Sequence, residues 1–173
     1  MHQNIIRKPA VLDASFWVNL ARSGLLPYLN DYFILHAPPK VVEELSVLLT
    51  VVNPPEPVVR FDEWLKAGRV QFTAPQGTFA RFDAGENEVT ALARERGWVL
   101  LIDNHEPRDY SRGPLALTVV DSPAFAVFLF DQGRVSEQEA ATALARSHAA
   151  RRVVREALVL LTELTRRKGG ANK

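Results

Sequence analysis

Two short apolar runs in this chain each end on an aspartate: Ala10-Val11-Leu12 on Asp13, and Trp98 to Ile102 on Asp103. Runs of that length with no polar alternation suit strands buried on both faces, and such strands belong to parallel sheets covered by helices. The segments between them carry helical signals. Residues 16–22 read as a helix that Ser15 can cap and Gly24 ends, and residues 25–32 as a second short helix with Pro27 in its first turn. A strand is expected at 33–36, a proline-started helix from Pro38-Pro39 to about Leu49, and a loop at 51–58 enforced by Pro54, Pro55 and Pro57. Residues 61–67 read as a helix, 70–73 as a strand and 75–82 as a polar connection. Residues 85–96 have Val89, Leu92 and Ala93 at helical spacing and stop at Gly97. A last strand is expected at 115–120, then helices at 122–131, at 136–146 behind a Ser136/Glu139 capping box, and at about 149–167.

Strands alternating with helices imply an α/β chain, a three-layer α/β/α sandwich with a mainly parallel central sheet and extra C-terminal helices. At 173 residues the chain suits one domain. The expected organisation is a single unit over 1–168, with its core at about 9–133 and a helical extension at about 134–168, followed by a flexible tail at 169–173.

Composition removes whole classes of chemistry. The chain has no cysteine, so disulfides, thiolate zinc sites, iron–sulfur clusters and cysteine nucleophiles are excluded. Four scattered histidines leave little scope for an imidazole-rich site, and a metal here would be a hard cation held by carboxylates. With 21 Lys+Arg against 20 Asp+Glu, any basic surface must be local. Arg7 and Lys8 near the start are not followed by a secretory apolar core, and no window reaches about 18 uninterrupted apolar residues. A cytoplasmic protein without membrane association is therefore expected. Neither GxxxxGK[ST] nor a GxGxxG after the first strand is present.

In open parallel sheets ligands sit beyond the carboxyl ends of the strands, where Asp13 and Asp103 fall. Glu44, in the helix after the second strand, and Glu86, opening the helix before the strand of Asp103, flank the same crevice. Each acid alone has a plain structural explanation: a helix cap for Asp13, the macrodipole for Glu86, a solvated face for Glu44. Four carboxylates converging would raise one another's pKa values, and a divalent cation would neutralise them. Metal-assisted phosphodiester hydrolysis is the chemistry such a cluster suits.

Val11-Leu12-Asp13-Ala14-Ser15, leading into Asn19 to Leu26, resembles the opening of PIN-domain proteins such as VapC-type toxins. Pro39-Lys40-Val41-Val42-Glu43-Glu44-Leu45 is similar to that family's proline-started helix bearing one essential Glu. Gly85-Glu86-Asn87-Glu88 is similar to the GE-x-E helix of one branch, and Leu100-Leu101-Ile102-Asp103-Asn104 to the strand that delivers the last acid. The resemblance implies a Mg²⁺- or Mn²⁺-dependent endoribonuclease, the toxin of a type II toxin–antitoxin pair. Asp13, Glu44, Glu86 and Asp103 would be its metal-binding and catalytic acids, with Ser15 supporting the metal or its waters. RNA is the implied substrate, an antitoxin protein the implied partner, and a homodimer is possible.

This sequence departs from the branch in places. Asn104 stands where a second acid is usual, keeping an oxygen ligand but losing a charge. It motivates the alternative of a weakened or inactive PIN-like module that binds RNA or another protein. Arg108 fits the usual basic residue and could contact a phosphate, although an ion pair with Asp109 or Glu106 accounts for it as well. Glu43 and Glu88 compete with Glu44 and Glu86. The C-terminal arginines and lysines could hold RNA phosphates or form a solvated helix face, and the apolar stripe from Val153 to Leu164 could pack inward or meet a partner.

Overall fold

The computed structural model describes residues 6–170. The first half holds β1 (Lys8–Leu12), α1 (Ala14–Arg22), α2 (Leu29–Tyr32), β2 (Phe33–Ala37), α3 (Pro39–Val47), α4 (Glu56–Lys66) and β3 (Val70–Phe72). The second half holds α5 (Ala84–Arg96), β4 (Val99–Leu101), α6 (His105–Arg112), β5 (Val119–Val120), α7 (Ser122–Asp131), α8 (Glu137–Arg146) and α9 (Arg151–Gly170). The strands form one sheet in the order β3-β2-β1-β4-β5, and every pairing is parallel. The fold is therefore the α/β sandwich that the alternation of elements implies.

The chain runs from β1 outward to β2 and β3, then returns to the other side of β1 for β4 and β5. Right-handed crossovers place α1 to α4 on one face and α5 and α6 on the other, while α7 and α8 return to pack against α1. The reversal leaves a crevice between the carboxyl ends of β1 and β4, where open α/β sheets bind ligands. Register fixes what arrives there: Leu12 pairs with Leu101, and the Asp13 N–H donates to the Leu101 carbonyl at 3.0 Å.

Burial explains why the central strands contain so little polarity. Ala10, Val11, Leu12, Leu35, Leu100, Leu101 and Ile102 have no exposed surface. Trp17 on α1 fills the gap to α4, meeting Phe61 and Trp64 edge-on with both centroids at 5.3 Å. Its indole N–H donates to the Pro57 carbonyl at 2.6 Å, so its one polar atom is satisfied in the core.

Local signals fail in four places. The proline-rich loop is shorter than expected, because α4 begins at Glu56 with Pro57 in its first turn, where a missing N–H leaves no helical bond unmade. Helix α1 is capped by Asp13, as the plain reading of that acid has it, and not by Ser15: the Asp13 carboxylate accepts the Ser15 N–H. Helix α6 has no counterpart in the sequence reading, since its eight residues, HEPRDYSR, lack an aliphatic stripe and bury Pro107, Arg108 and Ser111 instead. Strand β5 is only two residues long, because the chain just before it turns through Ala116 at φ 51° and donates from Leu117 N–H to the Ser111 carbonyl.

The last three helices pack on one another. Only one flank of the α9 stripe is covered. Val153, Ala157 and Leu161 are buried, whereas Leu158, Val159 and Leu160 are 42–55% exposed. Two of the basic residues act as ties: Arg152 pairs with Asp109 and Glu156, and Lys168 donates to the carbonyls of Phe130 and Asp131. Helix α9 continues to Gly170, into the stretch read as a tail, and residues 171–173 lie outside the described residues. No helix among the described residues is long and apolar enough to cross a membrane.

Candidate active site

Asp13 leaves β1 already committed to capping α1. Its Oδ2 accepts the Ser15 backbone N–H at 2.8 Å and also the Ser15 hydroxyl. The same hydroxyl oxygen accepts the Asp103 N–H at 3.3 Å, so Ser15 joins the ends of β1 and β4. Asp13 is only 3% exposed. Burial pushes its carboxyl from the ordinary 3.8 up to about 7, against the lowering effect of the two Ser15 hydrogen bonds and with the help of Glu86 and Glu44.

Glu86 lies in the first turn of α5, whose N-cap is Asp83. Its Oε1 accepts from Asn104 Nδ2 at 2.5 Å. Glu44 reaches across from α3 to the backbone of α5 at Gly85: a Cβ placed there would overlap Glu44 Oε1 and stand 3.0 Å from its Cδ. Gly85 is thus the residue that lets the α3 carboxylate approach the start of α5. Burial, then Asp83 and Glu86, hold the Glu44 carboxyl above its usual value, and burial with Asp83 and Glu106 does the same for Glu86. Lys40 relieves Glu44 only in part, being paired with Glu43 at 2.6 Å.

Asp103 is the acid with the most hydrogen-bond donors of the four. Ser122 N–H donates to its Oδ1 at 2.6 Å, while Ser122 Oγ and Asn19 Nδ2 both donate to Oδ2 at 2.6 Å. It is 4% exposed, and burial raises its carboxyl above the usual range with a contribution from Asp121. Asp103 therefore ties the end of β4 to α1 and α7. Glu44 and Glu86 both bear on Asp13, and Glu86 on Glu44, with Ser15 bonded to Asp13 and Asn104 to Glu86.

The competing acids are spoken for. Glu43 is an exposed partner of Lys40, and Glu88 accepts the Lys40 backbone N–H at 2.8 Å, capping α3. Arg108 departs from the phosphate contact considered above. It is 2% exposed, donating to Asp109 at 2.7 Å and lying 3.6 Å from Asp121, so it is an interior ion pair between α6 and the N-cap of α7.

A cleft of about 400 Å³ opens beside the acids, lined by Ser15, Glu44 and Asn104 together with Val18, Leu48 and His148. Nothing in the sequence pointed to His148, which comes from the turn between α8 and α9 and hydrogen-bonds Arg22 at 3.2 Å. Nor did local patterns single out Asn19 or Ser122. A polar residue at a helix start, as Ser122 is after Asp121, was the one available signal.

Among the described residues, no three acidic or histidine side chains stand close enough in this arrangement to hold one ion together. The donor set nevertheless fits a hard dication: carboxylate, amide and hydroxyl oxygens, with carboxyl groups raised by burial and by neighbouring acids.

No curated protein matches the chain. A family model described as a PIN domain matches residues 9–120, which takes in β1 through β5 and all four sequence-predicted acids. PIN domains are generally nucleases and typically use divalent metals. By that match over more than half its length, this chain belongs to the PIN-domain family, a nuclease-type fold.

Proposed function

We propose that this protein is a metal-dependent endoribonuclease that hydrolyses RNA phosphodiester bonds with Mg²⁺ or Mn²⁺, and that it is the toxin of a type II toxin–antitoxin pair. One observation carries the reading: Glu44 and Glu86, far from Asp13 in sequence, both add to the burial that raises the Asp13 carboxyl at the switch point of a nuclease-type fold. Asp13, Glu44 and Glu86 would hold the ion. When bound, it supplies Lewis acidity for water activation and neutralises charge on the phosphodiester.

The chain's own residues prepare that chemistry. Ser15 engages Oδ2 of Asp13 and leaves Oδ1 without a hydrogen-bond donor among the described residues. Asn104 does the same for Glu86 through Oε1, leaving Oε2. Asp103 acts as a positioning residue, keeping α1 and β4 in register so that Asp13 stays in place. Outside the acids, Val47, Leu48, Val51 and Val52 form an exposed apolar rim, 41–92% accessible, that an antitoxin protein would cover. Leu158, Val159 and Leu160 on α9 are where a second copy would pack in a homodimer. The cytoplasm is the compartment that suits this activity.

Cleavage of an end-labelled single-stranded RNA by the full chain tests the reading. Turnover should require Mg²⁺ or Mn²⁺, stop with EDTA, and be lost in Asp13→Asn. Undiminished cleavage by that variant overturns the assignment. Asn104 favours one alternative, a weakened or inactive module that binds RNA or protein, because a neutral amide bonded to Glu86 contributes no charge to an ion. Calorimetric titration with Mn²⁺ separates the two, since an inactive module takes up no metal at millimolar concentration.

A further inference from the structure

We infer that Arg22 and His148 form a phosphate-binding subsite for single-stranded RNA at the end of the active-site cleft, with His148 supplied by the C-terminal extension. The inference rests on the nuclease reading and extends it to how the substrate is held. His148 lies outside residues 9–120, yet it lines the same cleft as Ser15, Glu44 and Asn104.

The chemistry of the pair is fixed by its geometry. Arg22 Nη1 stands 3.2 Å from His148 Nδ1. A guanidinium only donates, so Nδ1 must accept, and a neutral ring then carries its proton on Nε2. His148 thus offers an N–H donor, and Arg22 retains further N–H groups of its own. Among the described residues neither side chain has a carboxylate within ion-pair distance, unlike Lys40, Arg108 and Arg152, which are held by Glu43, by Asp109 and Asp121, and by Asp109 and Glu156.

A polyanion approaching Asp13, Glu44 and Glu86 is repelled, so the strand needs a cationic hold beyond them. Arg22 ends the helix that Asp13 begins, which puts the hold and the acids at opposite ends of α1. Val18, Leu45 and Leu48 line the cleft between them and suit a ribose or base over a phosphate. A single strand fits this path, with one phosphate at the acids and a flanking one at the pair.

Fluorescence anisotropy of a labelled single-stranded RNA in EDTA, with the full chain, tests this directly. His148→Ala and Arg22→Ala should each weaken binding at least about tenfold, the scale of one hydrogen bond to a charged group. His148→Gln, which keeps a side-chain N–H, should recover much of that loss. Arg22→Ala should also lower the slope of log affinity against log salt by about 0.7, as for one phosphate contact on a single strand. With Mn²⁺ present, the alanine variants should raise KM more than they lower kcat. Unchanged affinity and salt slope in both alanine variants, or a glutamine variant as weak as alanine, overturns the subsite. If the wild-type chain cleaves RNA and these variants match it, the subsite alone falls. If the wild type neither binds nor cleaves RNA, the nuclease reading falls and takes the subsite with it.

Discussion

Replacing Asp13 by Asn should uncouple stability from activity, with a pH signature that belongs to this one carboxyl. In the folded chain its pKa is about 7 against an ordinary 3.8, raised chiefly by burial. Between those values the unfolded state has released the proton while the folded state still holds it, so folding binds a proton and stability falls as pH rises. Carrying one carboxyl from 3.8 to about 7 corresponds to about 4 kcal/mol, lost progressively between about pH 4 and pH 7 and flat above. Asparagine escapes this loss while keeping an oxygen to accept the Ser15 N–H at the helix cap. Urea unfolding of both proteins in EDTA at a series of pH values isolates the effect, because titrations common to both cancel in the difference. The variant's stability relative to wild type should rise by about 4 kcal/mol from pH 4 to pH 8. Mn²⁺ at pH 8 should then restabilise the wild type, by about 2.7 kcal/mol at a hundredfold excess over its Kd, and leave the variant unmoved. A difference that stays flat within about 1 kcal/mol across this range refutes the argument, because Asp13 would then carry no penalty for its charge.

Other substitutions separate positioning from packing. Gly85→Ala puts a methyl group where Glu44 Oε1 lies; the flexible carboxylate swings away at little cost, so the melting temperature should hold or rise while cleavage falls at least about tenfold. Ser122→Ala removes one of three donors to the buried Asp103 and should cost about 1–3 kcal/mol in urea unfolding. Arg108→Met removes the interior cation while Arg152 and Arg112 stay beside Asp109 and Asp121, so it should cost about 1–3 kcal/mol; a variant that folds as well as wild type but shows a raised KM would instead restore Arg108 to a phosphate contact. Asn104→Asp replaces a donor to Glu86 with a like charge, so it should lower metal-free stability at pH 8 and tighten Mn²⁺ binding in calorimetry.

Three of the acids were legible because each sits where a local pattern changes: an apolar run ends at Asp13 and at Asp103, and a helix opens at Glu86; Glu44, inside α3, was picked out by the proline-started helix that carries it. Gly85, read as part of a motif, has a stated physical role once Glu44 is seen against it. What local patterns could not say is how the acids are bonded: Asp103 takes three hydrogen bonds from Ser122 and Asn19, and Asn19 is 84 residues away in sequence. Nor could they reveal a helix such as α6, whose buried face consists of a proline, an arginine and a serine.

Alternation of short strands with capped helices, the Gly97 stop and the Ser136/Glu139 box were determined by the sequence itself, because caps, turns and side-chain periodicity act between residues a few positions apart. Whether a charge is buried, and with whom, depends on partners brought from distant segments, and their sum is settled only when the layers pack. That is why Arg108 became an interior ion pair, Asp103 a clasp, and His148 a wall of the cleft.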